Sequence, residues 1–267
     1  EGKVYFSITK NASPELKMMQ GVEINVFEGA HPAGNVGVQI NKLNPINKGE
    51  VVWTMNLQDV IALGRFVNKG IVDLTKYVAL TGPEVYSPCY FKTIVGTNIQ
   101  PMIAGNVYKE NKLRYISGNV LSGTKIAENG YLGAFDSQIT VIQEGDEADE
   151  LIGWLTPRFN KFSASLSYPW QRFAKFCKCK FDFDARVLGG RRAIIMSGEY
   201  DKVFPMDILP EQLIKAMIAK NLDQMEALGA YEVAPEDFAL CEFVCTSKME
   251  LQSIVREALD YMRKELE

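Results

Sequence analysis

The spacing of apolar positions changes character along this chain. In GVEINVFEG (21–29) they alternate, which predicts a strand running into a glycine. His31-Pro32-Ala33-Gly34 makes a loop, and Asn35 to Leu43 predicts a short helix. The β-branched stretch Val51 to Met55 predicts a compact strand. From Leu57 to Lys69 the period is helical: Leu57, Val60, Ile61, Gly64 and Val67 fall on one stripe, and Gly70 stops it. Lys76 to Thr81 predicts another strand before Gly82-Pro83. Strands alternating with helices imply a parallel sheet, here a partial Rossmann-like α/β layer over 1–87.

Beyond Pro88 the segments shorten. Tyr90 to Val95, Leu113 to Ser117 and Gln138 to Gln143 predict strands, and Thr97 to Ala104 a short helix. Together they predict a small mixed β domain over 88–157. The run Glu144, Asp146, Glu147, Asp149, Glu150 reads as a solvated surface turn. Residues 193–267 form a helical domain. Pro210 sits in the first turn of a helix whose stripe is Leu213, Ile214, Met217 and Ile218, and a second helix spans Leu222 to Leu228 and ends at Gly229. The last begins with the capping-box pattern Ser247-x-x-Glu250 and buries Leu251, Ile254, Val255, Ala258, Leu259 and Met262.

Length and composition narrow the class. The 267 residues suffice for about two to three domains. At 47% hydrophobic and 23% charged, the chain can bury a core, and a net charge of −4 argues against nucleic acid as main partner. No apolar run reaches the roughly 18–20 residues of a membrane span, and the start lacks both Met and a signal core, as if cut from a longer protein. Cys89, Cys177, Cys179, Cys241 and Cys245 read as reduced thiols. With His31 the single histidine and no G-x-S-x-G elbow, neither a His-rich zinc site nor a serine triad is expected.

Three features carry candidate chemistry. His31, Gly34, Asn35 and Gly37 lie at a strand-to-helix turn, where backbone N–H groups can hold an anion. The turn is not G-x-G-x-x-G, and His31 reads equally as a loop residue satisfied by local hydrogen bonds. Between 158 and 192, basic residues including Lys175, Lys178 and Lys180 interleave with aromatics including Trp170 and Phe173. That composition suits packing across neighbouring domains, docking on a partner protein or membrane surface, or base stacking. Finally, Cys241 and Cys245 hold only the last two positions of a C-x2-C-x2-C-x3-C-P run. Phe238 and Pro235 stand where the other two ligands belong, so the run cannot hold a cluster alone. Cys177 and Cys179 are the remaining nearby thiols.

HPAGNVGVQI (31–40), VVWTMNLQDVIALG (51–64), ISGNVLSG (116–123), YLGAFDSQITVI (131–142), FPMDILPEQL (204–213) and LCEFVCTSKMEL (240–251) resemble the NqrA family, in order and along essentially the whole chain. That family is similar to RnfC and to the NADH-binding flavin subunit of complex I. The resemblance implies a Rossmann-like domain, an SLBB (soluble-ligand-binding β-grasp) domain and a helical ferredoxin-type domain. Carried onto this chain, the first cluster's ligand positions hold Ile194, Ser197, Tyr200 and Phe204, so no thiolate remains there. RnfC and the flavin subunit carry a Glu after the loop glycine, where this chain has Asn35 and Val36.

The implied role is a peripheral subunit, on the cytoplasmic face of the bacterial inner membrane, of a sodium-pumping NADH:ubiquinone reductase. It would bind no redox cofactor, touch the membrane only peripherally, take part in quinone handling and dock on a membrane subunit. NADH, flavins and iron–sulfur clusters would belong to other subunits. The rival reading is a redox subunit binding flavin or NADH itself.

Overall fold

The computed structural model describes residues 2–108, 112–146, 162, 181 and 183–266. The chain divides into two compact units, Glu1–Thr54 with Arg191–Glu267, and Met55–Gly190.

In the first unit, strand β1 (Tyr5–Thr9) pairs in parallel with β2 (Glu23–Phe27), with Tyr5 opposite Glu23 and Thr9 opposite Phe27. The short helix α1 (Pro14–Lys17) connects them, and α2 (Val36–Leu43) follows the predicted loop. Val51 to Met55 forms no strand. Its β-branched residues favour extended backbone, but among the described residues no neighbour pairs with it, and Val51 and Trp53 are exposed.

The same unit holds the C-terminal helices: α5 (Pro210–Ile218), α6 (Leu222–Ala227), α7 (Ala239–Val244) and α8 (Leu251–Leu266), with 3-10 turns at Ala230–Glu232 and Pro235–Phe238. Leu213, Ile214 and Met217 of α5 meet Leu251, Val255 and Met262 of α8 in one core with Met225 and Phe238. Ile218, expected in that stripe, is exposed on the last turn of its helix. The expected capping box is absent. Ser247 is buried and donates to Ala193 O at 2.9 Å, Glu250 pairs with Arg191, and α8 starts only at Leu251. Three polar contacts tie α2 and the segment after it to the C-terminal part. Asn41 donates to Glu232 at 2.8 Å, Lys48 to Glu226 at 2.8 Å, and Asn35 to the Glu236 carbonyl at 3.4 Å.

In the second unit, α3 (Leu57–Lys69) ends at Gly70 in the left-handed region, φ 64°. Its predicted apolar stripe is not covered by the described residues: none of its side chains is fully buried. A five-stranded sheet follows in the order β4-β3-β7-β5-β6, from β3 (Thr75–Thr81), β4 (Cys89–Ile94), β5 (Leu113–Ser117), β6 (Thr124–Ile126) and β7 (Gln138–Gln143), with α4 (Gln100–Ile103) between β4 and β5. β3 runs antiparallel to β4 and parallel to β7, so it belongs to this sheet and not to that of β2. Val78, Leu80, Ile99, Ile103, Ile139 and Val141 form its core. Gly82 (φ 122°) lets the turn after β3 press on Val141, whose backbone N lies 2.7 Å from where a Cβ would sit.

The acidic run is partly structural. Glu144 accepts from Arg114 at 2.6 Å and Lys125 at 2.8 Å with its side chain 9% exposed, and Asp146 pairs with Lys112. Two basic partners hold the Glu144 carboxyl down at about 2. Glu147, Asp149 and Glu150 lie outside the described residues. No helix among the described residues is long and apolar enough to cross a membrane.

Candidate functional site

The turn before α2 is built by its own backbone. Ala33 N donates to Ala30 O at 3.0 Å and Asn35 N to Pro32 O at 2.8 Å, after a cis His31–Pro32 bond. His31 and Gly34 are exposed, and Asn35 stands at the N-cap of α2 without capping it, its side chain reaching the Glu236 carbonyl instead. Gly37, in the first turn, faces a carboxylate. Asp237 Oδ1 and Cγ lie 2.7 and 2.8 Å from where a Cβ on residue 37 would be. Asp237 is 2% exposed; its Oδ2 accepts from Ala234 N at 2.9 Å, and its Oδ1 has no hydrogen-bond partner among the described residues. Burial pushes this carboxyl up to about 6. An anion binding at this turn would meet the chain's own carboxylate.

Cys241 and Cys245 are both fully buried. Tyr200 Oη and Cys245 Sγ share a 2.9 Å hydrogen bond, and the rings of Phe204 and Phe238 stack at 4.9 Å between centroids, tilted by 38°. Tyr200, Phe204 and Phe238 are themselves 2%, 7% and 0% exposed. Burial drives the Cys241 thiol up to about 12 and the Tyr200 phenol up further, so neither ionises near neutral pH. Among the described residues, no group of three or more His, Cys, Asp or Glu side chains is placed to hold a metal ion. An iron–sulfur cluster, which the ferredoxin resemblance implies, needs four thiolates and does not fit this donor set.

Beside this core, Glu211 closes a small nest. Its Oε1 accepts from Ser197 N at 3.0 Å, Ser197 Oγ at 3.1 Å and Gly198 N at 2.8 Å, and the side chain is buried. Sequence reasoning missed Glu211, Asp237 and the pairing of Tyr200. Only Asp237 had a local signal: it stands three residues after Ala234, at the capping position of a turn that opens with Pro235.

The docking candidates Trp170, Phe173, Lys175, Lys178 and Lys180, together with Cys177 and Cys179, lie outside the described residues. Of the same stretch, Phe162 packs edge-on against Phe181 at 5.6 Å and Phe183 at 5.7 Å. In the second unit, a cleft of about 520 Å³ opens between α4 and β5, lined by Gln100, Ile103, Val107, Lys112, Tyr115 and Glu128.

Residues 1–72 match the family described as NqrA second alpha/beta domain, and residues 77–128 that described as NQRA C-terminal domain, with an SLBB label. Three relatives are named as the corresponding subunit of the Na(+)-translocating NADH-quinone reductase. They come from Pasteurella multocida (39% identical), Rhodopirellula baltica (40%) and Saccharophagus degradans (38%). Each alignment covers 99% of this chain and 58% of the relative, so the chain spans little more than half the length of these proteins.

Proposed function

The chain belongs to the NqrA family, and from that premise we propose that it is part of the NqrA subunit of a sodium-translocating NADH:quinone reductase and holds no redox centre of its own. One observation carries the second half of this reading. The two cysteines at cluster-like spacing are sealed in an apolar core, one of them bonded to a tyrosine. Electron entry from NADH, the flavins, the iron–sulfur centre and sodium transport then fall to other subunits. At the cytoplasmic face of the bacterial inner membrane, this chain contributes to handling ubiquinone and docks on a membrane subunit.

In this reading the first layer (1–87) descends from a dinucleotide-binding fold, 88–157 is an SLBB-type β-grasp, and 193–267 is a ferredoxin-type scaffold without metal. The rival, a subunit binding flavin or NADH itself, is disfavoured by Asn35 and Val36 where the relatives use Glu. It is disfavoured further by Asp237, whose carboxylate beside Gly37 would repel a pyrophosphate.

The test is direct. The full-length protein, purified natively, is colourless and iron-free by metal analysis; stoichiometric iron or bound flavin rejects the proposal. The docking stretch is tested separately by Lys175→Glu, Lys178→Glu and Lys180→Glu in the intact complex, where normal assembly rejects 158–192 as the contact surface.

A further inference from the structure

Two runs of the C-terminal part share one spacing. Ile194, Ser197, Tyr200 and Phe204 with Pro205 next stand at C-x2-C-x2-C-x3-C-P spacing, and Pro235, Phe238, Cys241 and Cys245 stand at the same intervals. In two-cluster ferredoxins the fourth ligand of each run crosses to the cluster of the other run. A frame of that kind places position 245 beside 194, 197 and 200, and position 204 beside 235, 238 and 241.

Both crossed contacts exist here. Tyr200, third of the first run, bonds Cys245, fourth of the second, at 2.9 Å. Phe204, fourth of the first run, stacks on Phe238, second of the second, at 4.9 Å. Ile194 packs on the same core, and Ser197 is turned to Glu211. A helical core with no such ancestry has no reason to pair these eight positions crosswise. The large rings sit between backbone segments that a cluster would otherwise separate, and all of them exclude water.

We infer that Arg191–Glu267 keeps the backbone frame of a two-cluster ferredoxin, with Tyr200 filling one cluster space against Cys245 and the Phe204–Phe238 pair filling the other against Cys241. The inference rests on the ferredoxin-type reading above and goes beyond it. It names which side chain replaces which cluster, and it makes the first space convertible back. Thiols at 194, 197 and 200 would join Cys245 around a single cubane. Each of the four thiols gives up a proton as two ferrous ions, two ferric ions and four sulfides assemble, with no net change in the oxidation state of the protein.

The experiment uses the whole chain carrying Ile194→Cys, Ser197→Cys and Tyr200→Cys, treated anaerobically with ferrous and ferric iron and sulfide, beside the unaltered chain. The expected product holds about four irons per chain and shows a visible absorption that dithionite bleaches. It is lost when Cys245→Ser is added and kept when Cys241→Ser is added. Iron uptake that ignores Cys245, or that needs Cys241 instead, overturns the inference while leaving the cofactor-free reading intact. A cluster or flavin already present in the unaltered chain defeats that reading instead. If the triple variant does not fold, double-mutant cycles decide. Tyr200→Phe with Cys245→Ala, and Phe204→Leu with Phe238→Leu, each show a coupling of about threefold or more in the unfolding constant. Additivity in both cycles overturns the crossed pairing.

Discussion

Asp237 holds its carboxylate against the backbone of Gly37, so that position 37 has no room for a side chain while the 3-10 turn stays in place. The glycine of the loop that resembles a nucleotide-binding turn is therefore explained by packing within the chain.

Gly37→Ala should cost about 1–3 kcal/mol, the usual range for overpacking a tight contact. Gly34→Ala, where nothing lies within 4 Å of the new Cβ, should be neutral or slightly stabilising. Urea denaturation of both variants checks the contrast, and equal costs would remove the steric account.

Asp237 also predicts a pH dependence. Burial raises its carboxyl from an ordinary 3.8 to about 6, so the folded chain holds the proton more tightly than the unfolded one. Its stabilising contribution is fully present below 3.8 and is lost as pH rises through 6. Asp237→Asn, which does not titrate, should gain on the parent chain across that window by on the order of 3 kcal/mol at most. A stability difference that stays flat across the window contradicts this.

Glu144 predicts the opposite sign. Hydrogen bonds from Arg114 and Lys125 lower its carboxyl from 4.5 to about 2. The stability it contributes is present above 4.5 and lost as pH falls through 2. Glu144→Gln should cost about 1–2 kcal/mol at neutral pH, less in high salt, and converge on the parent in acid.

The sealed thiols give a labelling prediction. In the native chain an alkylating reagent should modify the half-buried Cys89 and spare Cys241 and Cys245 until unfolding. Peptide mapping by mass spectrometry reads this out, and labelling of Cys241 at the rate of Cys89 would show that the core opens.

Glu211→Gln keeps the shape of the nest at Ser197 and Gly198 but removes the charge, and should cost about 1–2 kcal/mol by thermal denaturation. Glu211→Ala should cost more, because the two backbone donors are then left without an acceptor.

Much of the architecture was legible in the spacing of apolar residues. The bounds of β5 and β7 were predicted as observed, and α3, α5 and α8 follow from stripes one helical turn apart. Val51 to Met55 misled because composition sets an extended backbone, whereas a strand needs a partner that only the tertiary fold supplies. The Ser247-x-x-Glu250 pattern misled for a related reason: both side chains found long-range partners, Ala193 and Arg191, before a local one. β1 and β6 are short and carry few apolar residues, so no period marks them. Of the candidate site, spacing exposed Cys241 and Cys245. The importance of Tyr200, Glu211 and Asp237 lies in burial and in contacts tens to hundreds of residues away, which a linear pattern does not encode.

The first unit is assembled from the two ends of the sequence: Asn41 bonds Glu232 and Gly37 meets Asp237 across the intervening second unit. During synthesis, α2 must wait, uncovered, until the residues around 237 have left the ribosome, while the sheet of β3 to β7 already has all its strands. The middle of this protein is thus free to fold first, and the chain finishes by closing its beginning onto its end.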